Sequence, residues 1–301
     1  MISGSSSAPR SRSSRSRPRR NAAISPISLT VHYDSPLDLS GSVAIGLSQS
    51  GRTPDVVEYL VRARRSGAFT IAITNDPRSD LATAAEATIP LEAGAERAVA
   101  ATKTYTNTLA ALVLLAGHLA GDGPRIADGI RQAAERMTAA LPAFSREAEA
   151  LAVPFTYTGR MFVIGRGVEF ATAREIALKL LETCRVAAEP LTATDLAHGP
   201  VAALDPFFPV WAIASPDATL PAVQEAALRI HEMGATVVAS GSAAGAIEGS
   251  QYTLPVPALD EPLLSPLLSV VPGQLFAGAL ARARGLDPDA PHGLSKVTLA
   301  L

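Results

Sequence analysis

The most restrictive feature of this sequence is that one strand–turn–helix unit occurs in it twice. At a constant offset of 167 residues, Val43–Ile73 lies on Val210–Ser240 without a gap, placing Ser48 on Ser215, Pro54 on Pro221 and Gly67 on Gly234. Each copy reads as an apolar run, a polar turn, a helical pattern that stops at a glycine, and a second apolar run. Repetition at this period implies two α/β domains of one type. Strands alternating with helices at this spacing imply a parallel, doubly wound sheet in each.

Other stretches extend this frame. Leu29, Val31 and Tyr33 alternate as in a short strand; Ser79–Ala84 reads as a short helix and Ala87–Leu91 as a short strand. Ala98–Leu119 is apolar on nearly every side, which predicts a long helix buried between other elements. In the second half a strand at Met161–Ile164 runs through Gly165, Arg166 and Gly167 into a helix from Val168 to about Cys184, and Leu267–Arg284 is a helix with an apolar face. Shifted back by the repeat offset, the Met161–Cys184 unit falls across and before the start of the chain, so the first domain is expected to lack its opening strand and helix. Two explanations are open: a naturally shortened domain, or a chain that starts inside its coding region. The unpaired strand edge and uncovered face that the loss would leave favour the second.

Composition narrows the class. With 48% hydrophobic and 18% charged residues and a net charge of -2, the chain is globular and not of the nucleic-acid-binding type. Cys184 is the only cysteine, so no intramolecular disulfide forms. No uninterrupted apolar run approaches the roughly 20 residues of a membrane span, and the cytoplasm is the expected location. Residues 1–20 hold six arginines, no acid, and nothing apolar after Ile2 except Ala8, and are expected to be disordered. A nucleic-acid arm, a targeting presequence and a segment with no structural role are the readings of that stretch, and composition favours the last.

The turn Ser48-Gln49-Ser50-Gly51-Arg52-Thr53 at a helix N-terminus points hydroxyls and N–H groups at one spot, where the helix dipole favours an anion such as phosphate. An ordinary solvated turn is the competing reading. The spacing is neither that of a Walker loop nor that of a dinucleotide fingerprint, and no cofactor or metal is called for. The second copy carries Pro216, Asp217, Ala218 and Leu220 instead of Gln49, Ser50, Gly51 and Thr53, a poor anion cup, so phosphate is expected in the first copy only. Glu175, Lys179 and Glu182 share one face of an otherwise apolar helix, either as a solvated salt-bridge stripe or as working groups. Glu189, Asp195 and His198 follow in what reads as a short loop that presents the imidazole, which suits acid/base work. Lys296 lies in the tail and matters only if that tail folds back over the site.

SQSGRT, ATKTYTNTLAAL at Ala101–Leu112, GRG followed by AREIALKLLE, DLAHGP and the closing DPDAPHGLSKVTL together resemble the SIS sugar-phosphate isomerase family, above all the isomerase half of glucosamine-6-phosphate synthase and stand-alone aminosugar-phosphate deaminases and isomerases. The resemblance covers about residues 38 to 301. It implies two tandem SIS-type doubly wound domains, at 28–150 and 151–301 after an arm at 1–27, and a sugar-phosphate substrate bound by a homodimer without nucleic-acid or membrane partners. Ser48, Gln49, Ser50 and Thr53 would then grip the phosphate, and Val99, Ala101 and Thr102 would line the sugar. Ala101 replaces a hydroxyl residue common in the family. Glu182 would move a proton between C1 and C2, with Lys179 and Glu175 as its neighbours, and a glutamate half-buried against Leu180 and Leu181 would have its pKa raised. His198 would assist ring opening from the other subunit, and Lys296 would close over the sugar and can form an imine. No glutaminase segment with its catalytic cysteine is seen before residue 38, which argues for free ammonia. The alternatives are a non-catalytic sugar-phosphate sensor and an inactive fragment.

Overall fold

The computed structural model describes residues 28–296 other than 34, 35 and 37; the Ser/Arg-rich arm lies outside the described residues. The chain is mixed α/β with two parallel sheets. In the first, β1 (Val43–Leu47), β2 (Phe69–Thr74) and β3 (Ala87–Pro90) lie in that order, connected by α1 (Pro54–Arg65) and α2 (Asp80–Ala84). α3 (Lys103–Leu119) and α4 (Gly123–Ala152) follow. The second sheet has the order β5-β4-β6-β7-β8, built from β4 (Arg160–Gly165), β5 (Ala187–Thr192), β6 (Pro209–Ile213), β7 (Thr236–Gly241) and β8 (Tyr252–Pro255). Its helices are α5 (Glu169–Cys184), α6 (Ala193–Ala197), α7 (Leu220–Glu232) and α8 (Pro266–Ala283).

The two aligned stretches have similar local topology. β1 pairs β2 as β6 pairs β7, every strand pair is parallel, and α1 and α7 begin at the aligned turns. The central strand β6 is flanked by β4 and β7 and buries Val210, Trp211, Ala212 and Ile213 completely. The Trp211 ring and that of Phe276 on α8 pack at a tilt of 55° with centroids 5.1 Å apart between sheet and helices, with Ile176 and Leu180 of α5 in the same core.

β1 differs. Among the described residues it pairs with β2 alone, and its side chains alternate: Ala44 packs on Tyr59 and Leu60 of α1, while Val43 is 59% and Leu47 43% exposed. A parallel strand is ordinarily covered on both faces. The second sheet meets that rule through β4 and α5, the unit with no counterpart in the first sheet among the described residues.

Several expectations are corrected. Residues Ser28–His32 form a single π-helical turn packed near α1, not a strand; the Thr30 carbonyl accepts from Arg62 at 2.7 Å, a contact to a helix rather than to a sheet edge. α3 starts at Lys103, not Ala98, and among its residues only Thr104 and Gly117 are fully buried, because one side faces an open cleft. Glu189 lies in β5, and Ala193–Ala197 is a short helix whose start is secured by a capping box between Thr192 and Asp195. The 30-residue α4, which the sequence reading passed over, packs on α3 and α8 through Ala133, Ile130 and Phe144. Among the described residues one stretch, Pro262–Ala283, is long and apolar enough to cross a membrane, but 78% of its apolar 18-residue window is buried inside the fold.

Candidate active site

The polar turn after β1 is closed on itself. Ser48 Oγ accepts from the Gly51 N–H at 3.1 Å and lies 3.0 Å from Thr53 Oγ1, and Ser50 Oγ accepts from the Arg52 N–H at 3.2 Å. Thr53 precedes α1 without using its own side chain as a cap, and Pro54 has no N–H to satisfy. Gly51 is required here: its φ is +64°, and a Cβ would fall 2.0 Å from Ser79 Oγ. The Gly51 carbonyl accepts from Leu81, so the turn is fastened to α2. Gln49 is fixed by its backbone carbonyl, which accepts from Asn75 N–H at 3.1 Å.

At the aligned turn of the second repeat an internal carboxylate takes up the hydroxyls. Glu169, at the start of α5, accepts from Ser215, the counterpart of Ser48, and from Ser269 at 2.9 Å and Thr172 at 2.7 Å. Burial pushes its carboxyl above the ordinary range against the pull of these three hydroxyl bonds.

α5 carries the densest charge in the interior. Lys179 Nζ lies 2.5 Å from Glu182 Oε2 and 3.7 Å from Glu175 Oε1. The Lys179 and Glu175 side chains are only 5% and 6% exposed, which overturns the solvated-stripe reading; Glu182 keeps 24%. The Glu175 carboxyl is pushed up to about 7 by burial, with Lys179 and Gln274 pulling the other way. A carboxyl that titrates near neutrality can hold or release a proton at ordinary pH. Gln274, a lone amide in the apolar α8, donates to Glu175 Oε1 at 3.4 Å and to the Thr102 carbonyl at 3.5 Å, bridging α5 to the segment that precedes α3. Tyr105 of α3 donates to the Ala171 carbonyl at 3.2 Å; burial, then the Glu175 and Glu169 charges, raise its pKa and keep it a donor.

Two clefts border this charged face and share the Leu178–Leu181 ridge. One, of about 530 Å³, runs from Leu47, immediately before the Ser48 turn, to Tyr105 and Glu175. The other, of about 510 Å³, holds Glu182 and is roofed by the segment after α8, including Asp287, Pro291 and Leu294. Both fall within the size range of small-molecule sites. The tail folds back further: Lys296 Nζ donates to the Ala98 carbonyl, and the Val99 N–H donates to the Asp289 carbonyl at 2.8 Å.

The structure thus joins Glu175, Lys179 and Glu182, links Thr102 to Glu175 through Gln274, and seats Lys296 on the Ala98–Thr102 segment with Val99 and Ala101. Ser48, Gln49, Ser50 and Thr53 form the turn directly after Leu47. His198 stands apart: it caps α6, is exposed, and lines a separate small cleft with Glu225 and Arg229. Sequence reasoning missed Gln274 and Glu96. Gln274 carried a signal, an amide in a buried apolar helix; Glu96 carried none, being one more acid in an irregular segment.

The SIS domain model matches residues 20–117 and 155–283. The chain belongs to the SIS domain family. It is 40% identical over 267 residues to the glutamine–fructose-6-phosphate aminotransferase (isomerizing) of Gloeobacter violaceus, covering 85% of this chain and 43% of that relative. This SIS chain therefore spans less than half the length of that protein. The C-terminal domain of glucosamine-fructose-6-phosphate aminotransferase from Francisella tularensis superposes with a TM-score of 0.79 at 25% identity, covering 88% of this chain and 77% of that one. Glucosamine-6-phosphate deaminase from Thermotoga maritima, at 22% identity and a TM-score of 0.73 over 91% and 80% of the two chains, shares the fold.

Proposed function

We propose that this SIS chain is a sugar-phosphate aldose–ketose isomerase or aminosugar-phosphate deaminase acting on a substrate like glucosamine 6-phosphate. The observation that carries the reading is the Glu175–Lys179–Glu182 array, in which Glu175 and Lys179 are buried, with Glu175 lining one substrate-sized cleft and Glu182 the other. Isolated charges are costly to bury, so charge concentrated in an apolar helix is retained for chemistry or for pairing.

In this reading the Ser48, Gln49, Ser50 and Thr53 turn grips the phosphate, exchanging its internal hydroxyl contacts for contacts to the anion. That anchor holds the reacting carbons in place from a distance. Val99, Ala101 and Thr102 line the sugar. Glu182, paired with Lys179, removes the proton beside the carbonyl of the open chain and returns it one carbon away. Glu175, with its carboxyl near neutrality, exchanges protons with the sugar oxygens. Lys296 forms the imine or closes the site over the carbonyl. His198 opens the ring in the site of a second copy of the chain, a role supported by its exposed place away from the acids of its own subunit. Cys184 is buried and donates to the Ala277 carbonyl at 3.0 Å, a packing role away from the charged face.

The test is ammonia release and aldose–ketose interconversion with glucosamine 6-phosphate, run on the parent chain and Glu182→Gln, with substrate binding measured by calorimetry. The expected result is turnover by the parent and binding without turnover by the variant. Binding by both chains with turnover by neither would overturn catalysis in favour of a sensor.

A further inference from the structure

In the segment between β3 and α3, Asn75 and Asn107 hold the first half by bonds to Ala93, Gly94 and Leu91, and the second half is organised by Glu96, a side chain that no motif marks. The Glu96 carboxylate accepts from the backbone N–H of Thr102 at 2.9 Å and of Lys103 at 3.0 Å, from the Thr102 hydroxyl at 3.3 Å, and from the Thr104 hydroxyl. Thr102, the residue that opens α3, makes no side-chain cap of its own. A carboxylate six residues upstream therefore satisfies the first N–H groups of the helix, with its charge where the helix dipole favours it.

The tail reaches the same segment. Lys296 donates to the Ala98 carbonyl two residues from Glu96, and Asp289 accepts from Val99. Burial raises the Glu96 carboxyl, but the hydrogen bonds from Thr104 and Thr102, together with the Lys296 ammonium, outweigh it and hold it below the usual carboxylate range. Through Thr102 and Gln274 the segment is tied on to Glu175.

We propose that Glu96 is a positioning residue: it sets the Ala98–Thr102 segment on the start of α3 and, by its charge, docks the tail lysine Lys296 beside the sugar site before substrate arrives. The catalytic part of this statement rests on the reading given under Proposed function; the docking part does not. Glu96 acts through Lys296 and the segment. Its two tasks are separable, because capping needs an acceptor oxygen and docking needs a negative charge. Glu96→Gln keeps an oxygen for the Thr102 and Lys103 N–H groups and loses the charge; Glu96→Ala loses both.

Hydrogen exchange of the tail (286–296) and of the α3 start (99–108) in the full chain tests this, on the parent, Glu96→Gln, Glu96→Ala, Lys296→Ala and the Glu96→Gln/Lys296→Ala double variant. In Glu96→Gln, tail exchange should rise roughly fivefold, as expected for loss of one through-space attraction between the Glu96 carboxylate and the Lys296 ammonium held on the Ala98 carbonyl, while the α3 start stays protected. In Glu96→Ala both should rise. In the double variant the tail should exchange no faster than in Lys296→Ala alone, since the two changes remove one interaction. Unchanged tail exchange in Glu96→Gln would overturn docking, as would additive effects in the double variant. Loss of α3 protection in Glu96→Gln would reduce Glu96 to a structural cap. In turnover, Glu96→Gln should lower kcat roughly tenfold with KM little changed, and Glu96→Asp should recover part of it. A KM-only effect would overturn the positioning role. A parent chain with no turnover on any sugar phosphate would defeat the functional reading, while the exchange data would still decide the docking.

Discussion

Replacing Glu175 by glutamine should stabilise the folded chain, and increasingly so as pH rises. Burial lifts this carboxyl from 4.5 to about 7 despite the neighbouring Lys179 ammonium. Between those values the native chain still holds a proton that the unfolded chain has lost, so stability falls as pH climbs through the window. The penalty is absent below about pH 4.5 and complete above about pH 7. At about 1.4 kcal/mol per pK unit it amounts to roughly 3 kcal/mol. With the side chain only 6% exposed, solvent screening removes little of it. Glutamine has the shape of the protonated acid and keeps an oxygen for Gln274. Its advantage over the parent should therefore grow from about 1 kcal/mol near pH 5 to about 3 kcal/mol near pH 8.5. Urea unfolding at several pH values, followed through the single tryptophan, Trp211, measures this. A difference that does not vary with pH, or that shrinks towards alkaline pH, would refute the reasoning and show the ion pair with Lys179 to be stabilising on balance. Under the proposed chemistry the same variant loses turnover, so stability and activity should move in opposite directions.

Other outcomes follow from particular contacts. Gly51→Ala forces a positive φ on a side-chain residue and drives its Cβ into Ser79, and should cost about 2 kcal/mol or more in chemical denaturation; a neutral result would mean that the turn has another conformation. Ser240→Ala strips the buried Trp211 indole N–H of its 2.7 Å acceptor, a loss of about 1–3 kcal/mol accompanied by a change in tryptophan emission. Val43→Thr, on the open face of β1, should change stability by less than about 0.5 kcal/mol; a loss above about 1.5 kcal/mol would show that this face is covered in solution.

Legibility in the sequence followed the range of the interaction. The β1 turn, α1, the β4–α5 unit and α8 were readable because period, proline and glycine act within a few residues. The start of α3 was misplaced because its cap comes from Glu96 across an irregular segment, and residues 28–32 form a turn because their partner, Arg62, lies on α1. The α5 charges were readable as a face of a helix, but not as a buried one. The burial that raises the Glu175 carboxyl comes from tertiary packing, and the Gln274 amide that opposes it sits on α8, about a hundred residues downstream. The separation of His198 from the acids likewise depends on how α6 sits beside α7, which no local pattern specifies.

The Glu169 carboxylate gives the two repeats different thermal behaviour. The turn at Ser215 carries its counter-ligand in the chain, so the second sheet should be as ordered without an anion as with one. In the turn at Ser48 the Ser48, Ser50 and Thr53 hydroxyls bond only within the turn. Whatever anion enters there should slow exchange around β1 and α1 and leave β6 and α7 unchanged. Ligand-dependent stability in this protein would then be carried by the first sheet, with the second sheet as its unchanging internal reference.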